Sequence, residues 1–192
     1  MPRPATGSRD RIVAATLALL RRGGLSAAGL NDVVAHAAAP KGSLYHYFPG
    51  GKTALVIAAL ETYREMIARI FETSLAGGKP LAQRVRALFR VFALRMAEDD
   101  YTRSCAVGAV TLDVTGDDDH LRTTCAETLE HWAQVAANHL PELPARQRLP
   151  AARLLVTLVE GAQLAARAQR GPQPLEAARD AFVRHVESVA AI

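Results

Sequence analysis

Helical periodicity limits the possible folds of this chain more than any other feature of its sequence. Apolar residues recur at intervals of three and four residues through nearly the whole length, as they do in amphipathic α-helices. No stretch shows sustained apolar–polar alternation bounded by hairpin turns, so strands are not predicted. Glycine pairs and prolines interrupt the pattern, and these residues commonly begin or end helices. We therefore predict an all-α protein of about nine helices.

The interruptions also place the predicted helices along the chain. Ser8 is expected to cap the first helix, and Pro40 to occupy the first position of the third. Thr16 falls within an apolar stripe, where its hydroxyl can bond the carbonyl one turn earlier. Asp117–Asp119 are predicted to stabilise a helix N-terminus through its dipole, in preference to binding a metal. The predicted ranges are 8–22, 29–36, 40–47, 52–76, 80–98, 105–114, 117–140, 150–168 and 174–190.

Positive charge is concentrated near the N-terminus. The 192 residues carry a net charge of +4. Residues 1–55 hold seven basic and two acidic residues, a net charge of +5, whereas residues 56–192 hold sixteen basic and seventeen acidic residues. A basic segment beside a neutral body suggests an anionic polymer as partner. On charge alone, a solvated basic surface explains the distribution equally well.

Several classes of protein are not predicted. No apolar run reaches the ~20 residues of a membrane span, and the N-terminus lacks the apolar core of a signal peptide. The two cysteines, Cys105 and Cys125, lack metal-type spacing, which fits a reducing cytoplasm. We therefore predict a cytoplasmic protein with no membrane partner.

Motifs of catalysis and metal binding are not apparent either. Gly50–Thr53 resembles the end of a Walker A loop, but such a loop needs a glycine five positions before its last glycine. His46 stands there, and the segment follows a predicted helix instead of a strand. Four possible metal ligands on the seventh predicted helix lack i, i+4 spacing; they are His120, Cys125, His131 and His139. We predict no catalytic site, no metal and no cofactor.

Residues 29–47 are instead predicted to form two short helices joined by a tight turn, a helix-turn-helix. The second helix would enter the DNA major groove with its N-terminal end. There Lys41 and Ser43 can reach phosphates or base edges, and Gly42 lets the backbone approach closely. Leu44 and Phe48 fall on the predicted buried side of the same helix. The N-terminal half of this helix is thus the predicted DNA-binding end.

Three neighbouring side chains, Tyr45, His46 and Tyr47, are predicted to project outward from this helix. They can supply phosphate hydrogen bonds and apolar contacts to thymine methyl groups. A soluble domain has little reason to expose such a group without a partner. The alternative interpretation is that one or both tyrosines are buried within the three-helix head.

The segment GLSAAGLNDVVAHAAAPKGSLYHYFPGGKTAL closely resembles the DNA-binding head of TetR-family transcriptional repressors. RDRIVAATLALLRRGGLS resembles the opening helix of that family, and SCAVGAVTLDV, together with APKGSLYHYFPGGK, is similar to its LmrA/YxaF-type subgroup. The sequence departs from the family pattern at three positions. Ala28 stands where the family commonly has a threonine that caps the second helix, and Ala38 stands where it has a turn glycine. Gly51 replaces a lysine that commonly follows the third helix, and the lysine of this chain comes one residue later, at Lys52. By position, the resemblance assigns DNA contacts to Lys41, Gly42, Ser43, Tyr45, His46, Tyr47 and Lys52.

The resemblance implies a homodimer that binds a palindromic operator and is released by a small effector. It divides the chain into a helix-turn-helix domain at residues 1–51 and a ligand-binding and dimerisation domain at residues 52–192. Motion of the long fourth helix would transmit effector binding to the head. The alternative function is a helical small-molecule-binding protein without sequence-specific DNA binding.

Two sets of residues in the body are candidates for these roles. Apolar positions with few polar neighbours predict a pocket for a neutral or weakly polar, aromatic or lipophilic ligand, formed by Phe89, Phe92, Met96, Val110, Trp132 and Gln163. Apolar stripes on the last two helices predict a dimer interface, formed by Leu155, Val159, Ala162, Ala166, Phe182, Val186 and Val189. Ordinary core packing is the alternative for both sets.

Overall fold

The computed structural model of the chain describes residues 7–116 and 118–190. Those residues form nine α-helices and no strand, which confirms the all-α prediction. Asp117, part of the predicted acidic cap, lies outside the described residues, as does Arg3 of the basic N-terminal segment. The helices are α1 (Ser8–Ala27), α2 (Leu30–Ala37), α3 (Lys41–Tyr47), α4 (Gly51–Leu75), α5 (Leu81–Glu98), α6 (Ala106–Asp113), α7 (Asp119–Ala137), α8 (Ala145–Gln169) and α9 (Gln173–Ala190).

Most helix ends lie within one or two residues of their predicted positions, but two caps were predicted wrongly. Gly7 is the N-cap of α1, and Ser8 is the first helical residue, with no side-chain cap. Pro40 is likewise the N-cap of α3, because its ψ of 140° is extended. The bond predicted for Thr16 is present, since its hydroxyl donates to the Ile12 carbonyl at 2.8 Å. Asp118 caps the start of α7 by accepting a bond from the Leu121 N–H at 3.2 Å.

The start of α8 was also predicted wrongly, because the helix begins at Ala145 and contains Pro150. A proline inside a helix removes one backbone hydrogen bond, but side-chain hydrogen bonds stabilise the segment before it. Arg148 Nε donates to the Leu143 carbonyl at 3.0 Å, and its Nη2 to the Pro141 carbonyl at 3.1 Å. These bonds hold the entry to α8 in place, so that the helix starts before its proline.

The chain forms two compact units that are not continuous in sequence. Of the described residues, the first comprises those within 7–63 and 106–126, and the second comprises those within 64–105 and 127–190. In the first unit, α1 packs against α2, α3 and α6. In the second, α5, α8 and α9 pack against one another. The first unit thus includes α6, which the linear division at residues 51 and 52 assigns to the ligand-binding domain.

A kink in α1 shows why the first unit needs glycine near residue 24. Gly24 has φ +64°, and a Cβ built there would clash with Asp113 Oδ2. That carboxylate accepts a hydrogen bond from the Leu25 N–H at 2.6 Å. Lys52 Nζ donates to the carbonyl of the same leucine at 2.6 Å. The end of α1 is thereby bonded to both α6 and α4 inside the first unit.

The second unit contains a buried arginine that joins the ends of several segments. Arg84 of α5 is 4% exposed. Its guanidinium donates to the carbonyls of Leu75, Lys79 and His139, and it forms an ion pair with Glu142. These acceptors lie at or beyond the C-termini of α4 and α7, where carbonyls have no partner within their own helix. One side chain therefore satisfies groups that burial would otherwise leave unpaired.

Candidate nucleic-acid interface

The turn between α2 and α3 adopts a left-handed conformation at an alanine. Ala38 has φ 47° and ψ 48°, values that glycine adopts at lower cost. Its N–H donates to the Ala35 carbonyl at 3.3 Å, and the Ala39 N–H donates to the Val34 carbonyl at 3.2 Å. These bonds satisfy the last carbonyls of α2 and reverse the chain direction. The left-handed conformation at Ala38 therefore carries strain that a glycine at this position would avoid.

We expect Ala38→Gly to raise the free energy of unfolding by about 1 kcal/mol, because glycine removes the steric cost of the left-handed conformation. The gain is partly offset by the larger entropy of the unfolded glycine chain. Urea unfolding followed by circular dichroism measures the change. Ala35→Gly, in the regular part of α2, is the control and should lower stability by about 1 kcal/mol. Equal destabilisation by both variants would contradict the proposed strain.

Two buried side chains anchor α3. Leu44 and Phe48 are almost fully buried, and the Phe48 N–H donates to the Leu44 carbonyl at 2.8 Å. The guanidinium carbon of Arg9 lies 5.7 Å from the centre of the Phe48 ring, within the range of a cation–π interaction. One side of the short helix is therefore fixed to the head, which determines the direction in which its other side faces.

The other side of α3 presents aromatic residues to solvent. Tyr45 is 60% exposed and Tyr47 is 41% exposed, and His46 between them is also exposed. The rings of His46 and Tyr47 lie 5.0 Å apart at an angle of 68°, an edge-to-face arrangement. Neither tyrosine is part of the buried core of the first unit. The structure thus brings the three predicted aromatic residues together on one accessible surface.

The N-terminal end of α3 is also accessible. Lys41 and Gly42 are exposed and Ser43 is half-buried, and its N–H donates to the Pro40 carbonyl at 3.0 Å. A Cβ built on Gly42 would meet nothing within 4 Å. The fold itself therefore does not require a glycine here, which leaves close approach of another molecule as a reason for it.

Lys52 occupies a different position from these residues. It lies in the first turn of α4 and is exposed, but its ammonium group already donates to the Leu25 carbonyl. Its predicted contact with a phosphate stays a prediction. Ala28, one of the departures from the family pattern, is buried, and α2 begins after Gly29 without a side-chain cap.

The six predicted pocket residues are all buried. Val110 lies in the first unit and the other five lie in the second. Trp132 Nε1 donates to the Arg64 carbonyl at 2.9 Å, and the rings of Phe71 and Phe92 lie 5.9 Å apart. These contacts are typical of an ordinary protein core and do not by themselves indicate a ligand. The pocket therefore stays a prediction.

The predicted dimer residues have a similar environment. Six of them, all except Val189, are buried within their own chain. Their side chains are therefore part of the protomer core, as the alternative interpretation stated. The dimer interface on these helices stays a prediction.

One partly buried acidic group was not predicted from the sequence. The Glu160 carboxylate on α8 accepts hydrogen bonds from the Cys105 thiol and, at 3.4 Å, from the Gln163 amide. Burial raises the pKa of Glu160 from 4.5 to about 7, although the bond from Cys105 acts in the opposite direction. From the sequence alone, Glu160 looks like an ordinary surface glutamate of α8. Its contact with Cys105 could not be predicted, because the two residues belong to different segments of the chain.

The cysteines and histidines form no metal site among the residues described. No group of three metal-ligating side chains occurs there, and both cysteines are buried and form no disulfide bond. Burial raises the pKa of the Cys125 thiol, partly offset by a hydrogen bond with Thr111. A raised pKa disfavours the reactive thiolate.

By length and composition alone, α8 could cross a membrane. However, 44% of its most apolar 18-residue window is buried inside the protein. A core helix of a globular domain has the same properties.

Comparison with known proteins agrees with this architecture. A family model described as "Bacterial regulatory proteins, tetR family" matches residues 12–59. A second, described as "Transcriptional regulator LmrA/YxaF-like, C-terminal domain", matches residues 82–181. An uncharacterized HTH-type transcriptional regulator of Mycobacterium tuberculosis is 30% identical over 177 residues, which span 88% of this chain and 89% of that protein.

Solved structures share the whole fold. The regulatory protein TetR from Rhodobacter sphaeroides has a TM-score of 0.84 and 28% identity, covering 93% of this chain and 98% of that chain. A cysteine variant of CifR, solved with 26-base-pair operator DNA, has a TM-score of 0.78 and 21% identity, covering 95% and 98%. The helix-turn-helix of α2 and α3, the matched head and the matched body together establish that this chain belongs to the TetR family of DNA-binding transcriptional regulators, with a body of the LmrA/YxaF type.

Proposed function

We propose that this protein is a dimeric repressor that reads a palindromic operator with α3 and is released by a small effector. The observation that carries this proposal is the two-sided structure of α3, with Leu44 and Phe48 buried and Tyr45, His46 and Tyr47 exposed. A short helix fixed in this way can enter a major groove without moving its own core.

The residues of α3 divide into two roles in this proposal. Lys41, Gly42 and Ser43 at its N-terminus contact the phosphate backbone, where positive charge and close approach matter. Tyr45 and His46 contact base edges, which determine sequence preference. Tyr47 and Lys52 add contacts at the edge of the site.

Lys41→Ala is expected to weaken binding to the DNA immediately upstream of the gene and to all other duplexes by a similar factor. The variant removes one phosphate contact, so the slope of log K against log salt should decrease in magnitude by about 0.9. Fluorescence anisotropy with labelled duplexes at several salt concentrations measures both quantities.

Lys79→Ala is the matched control, because Lys79 is an exposed lysine in the loop before α5. It should leave both affinity and salt slope unchanged. If Lys41→Ala behaves like this control, α3 does not contact the backbone as proposed. If the wild-type protein shows no sequence-specific binding even at low salt, the alternative of a ligand-binding protein without an operator is favoured.

The dimer interface is proposed to lie on the exposed side of α8. Exposed residues without charge recur there at helical spacing, namely Leu154, Thr157, Gly161, Leu164 and Ala168. A Cβ built on Gly161 would meet nothing within 4 Å of its own chain, although a mid-helix glycine costs ~1 kcal/mol relative to alanine. Close approach of a second helix gives a reason for that glycine.

Leu164→Glu is expected to convert the dimer to a monomer, because it places a charge in the centre of an apolar contact. Leu164 is 59% exposed in the protomer, so the fold itself should be retained. Sedimentation velocity measures the mass, and circular dichroism checks the helix content. Leu112→Glu, at a leucine that is 77% exposed on α6, should remain dimeric. A dimeric Leu164→Glu protein would place the interface elsewhere.

The effector is proposed to bind in the body, at residues 52–192, and the operator at residues 1–51. The single continuous helix α4, Gly51–Leu75, begins at this division and is the proposed route of coupling. An effector releases the operator only if it binds the DNA-free conformation more tightly. A regulator that binds an operator and an effector needs no catalytic group, so we propose no enzymatic activity. It is proposed to act in the cytoplasm, where its operator is located.

A further inference from the structure

A cleft in the second unit lies outside the DNA-reading surface and the proposed dimer surface. It has a volume of about 250 Å³ and lies between α5 and α9. Its base is apolar, because Phe89 and Leu175 are almost fully buried beneath it. Its sides carry Arg86, Arg90, Glu176 and Arg179. The cleft thus combines an apolar base with three guanidinium groups and one carboxylate.

Two of these arginines are available to a ligand. Arg86 and Arg90 lie one turn apart on α5 and are both exposed. Within residues 7–116 and 118–190, neither forms a hydrogen bond or an ion pair, although the charge of Arg86 adds to those of Arg179 and Arg184 in attracting the Asp180 carboxylate. Arg179 is already engaged with Asp180, at 2.8 Å from Nε and 3.1 Å from Nη2. Like charges at i, i+4 repel each other, so an anion between Arg86 and Arg90 would relieve that repulsion.

The size and chemistry of the cleft indicate the class of ligand. At ~30 Å³ per water-sized group, the volume accommodates roughly eight to ten non-hydrogen atoms. Guanidinium groups bind carboxylates through paired hydrogen bonds, and they stack on aromatic rings. We propose that this cleft binds a small aromatic carboxylate, with Arg86 and Arg90 holding the carboxylate and the ring lying over Phe89 and Leu175. This site is additional to the proposed operator and effector functions and does not depend on either.

Isothermal titration of the full-length protein with benzoate tests this site directly, without DNA. We expect saturable binding with one site per chain. Benzyl alcohol, which has a similar ring but no charge, should bind at least about tenfold more weakly, because it cannot make charge-assisted bonds. Equal binding of the two probes would overturn the assignment.

Substitutions then locate the site. Arg86→Gln and Arg90→Gln should each weaken benzoate binding by about tenfold, the loss expected for one charge-assisted interaction. Arg146→Gln, at an exposed arginine of α8 outside the cleft, makes the same charge change and should bind benzoate like the wild type. Absence of saturable binding, or equal weakening by all three substitutions, would show that the cleft is not the site. Repressor activity is not needed for this readout, so the result is independent of the operator proposal.

Discussion

Arg84→Met is expected to lower the free energy of unfolding by about 3 kcal/mol, because it removes the donor of one buried and two partly buried carbonyls. The substitution keeps an apolar side chain of similar length but leaves the carbonyls of Leu75, Lys79 and His139 without their donor. The Leu75 carbonyl is the most costly to leave unsatisfied, because its burial prevents water from replacing the lost bond, whereas the bonds to Lys79 and His139 are only partly buried. Glu142 is partly exposed and can turn to solvent, so the loss should come mainly from the carbonyls.

Denaturant unfolding at neutral pH measures the Arg84 effect. Arg84→Lys keeps the charge but cannot reach four acceptors with a compact ammonium group, so it should recover less than half of the lost stability. Arg146→Met, at an exposed arginine of α8, should change stability by no more than about 0.5 kcal/mol. A loss below about 1 kcal/mol for Arg84→Met would mean that the network contributes little beyond a typical hydrogen bond.

Glu160→Gln is expected to make the protein more stable than the wild type at pH 8, by about 3 kcal/mol. Burial raises the pKa of Glu160 from 4.5 to about 7, so between these values the folded state binds more protons than the unfolded state. Wild-type stability should therefore fall as the pH rises through this window and then level off above it. Glutamine has the same shape and keeps an oxygen acceptor for the Cys105 thiol, but it has no charge to bury.

The pH dependence separates this effect from simple repacking. The stability difference between Glu160→Gln and wild type should be largest at pH 8 and small at pH 4.5, where the wild-type carboxyl is protonated in the folded state and about half protonated in the unfolded state. Thermal unfolding at several pH values measures it. Glu187→Gln, at an exposed residue of α9, should give no such trend. A difference that does not change with pH would place the cause in packing and not in ionisation.

The sequence predicted the helices well because their signals are local. Apolar spacing, Gly77-Gly78 and the prolines act on neighbouring residues, so most ends were correct within one or two residues. The start of α8 was wrong because its position depends on bonds from Arg148 to the preceding segment, which a local rule for Pro150 does not include. The same local rules placed Leu44 and Phe48 inward and Tyr45 outward on α3.

Contacts between distant residues could not be predicted in this way. The spacing on α8 identified a stripe through Leu155 and Val159 but not whether its partner was the same chain or a second copy. Packing against α5 and α9 decided that the stripe is internal, which leaves Leu164 on the exposed side. Glu160 and Cys105 are far apart in sequence, and their hydrogen bond exists only because the second unit folds them together.

The sequence by itself determined the helical class, the positions of most helices and the family, because each depends on short-range spacing or on a motif of adjacent residues. The tertiary structure alone decided which apolar surfaces are buried, which carbonyls Arg84 satisfies and which arginines remain available beside the α5–α9 cleft. The physical reason is that burial and charge pairing depend on distances through space, and one sequence pattern is compatible with many such arrangements until the helices pack.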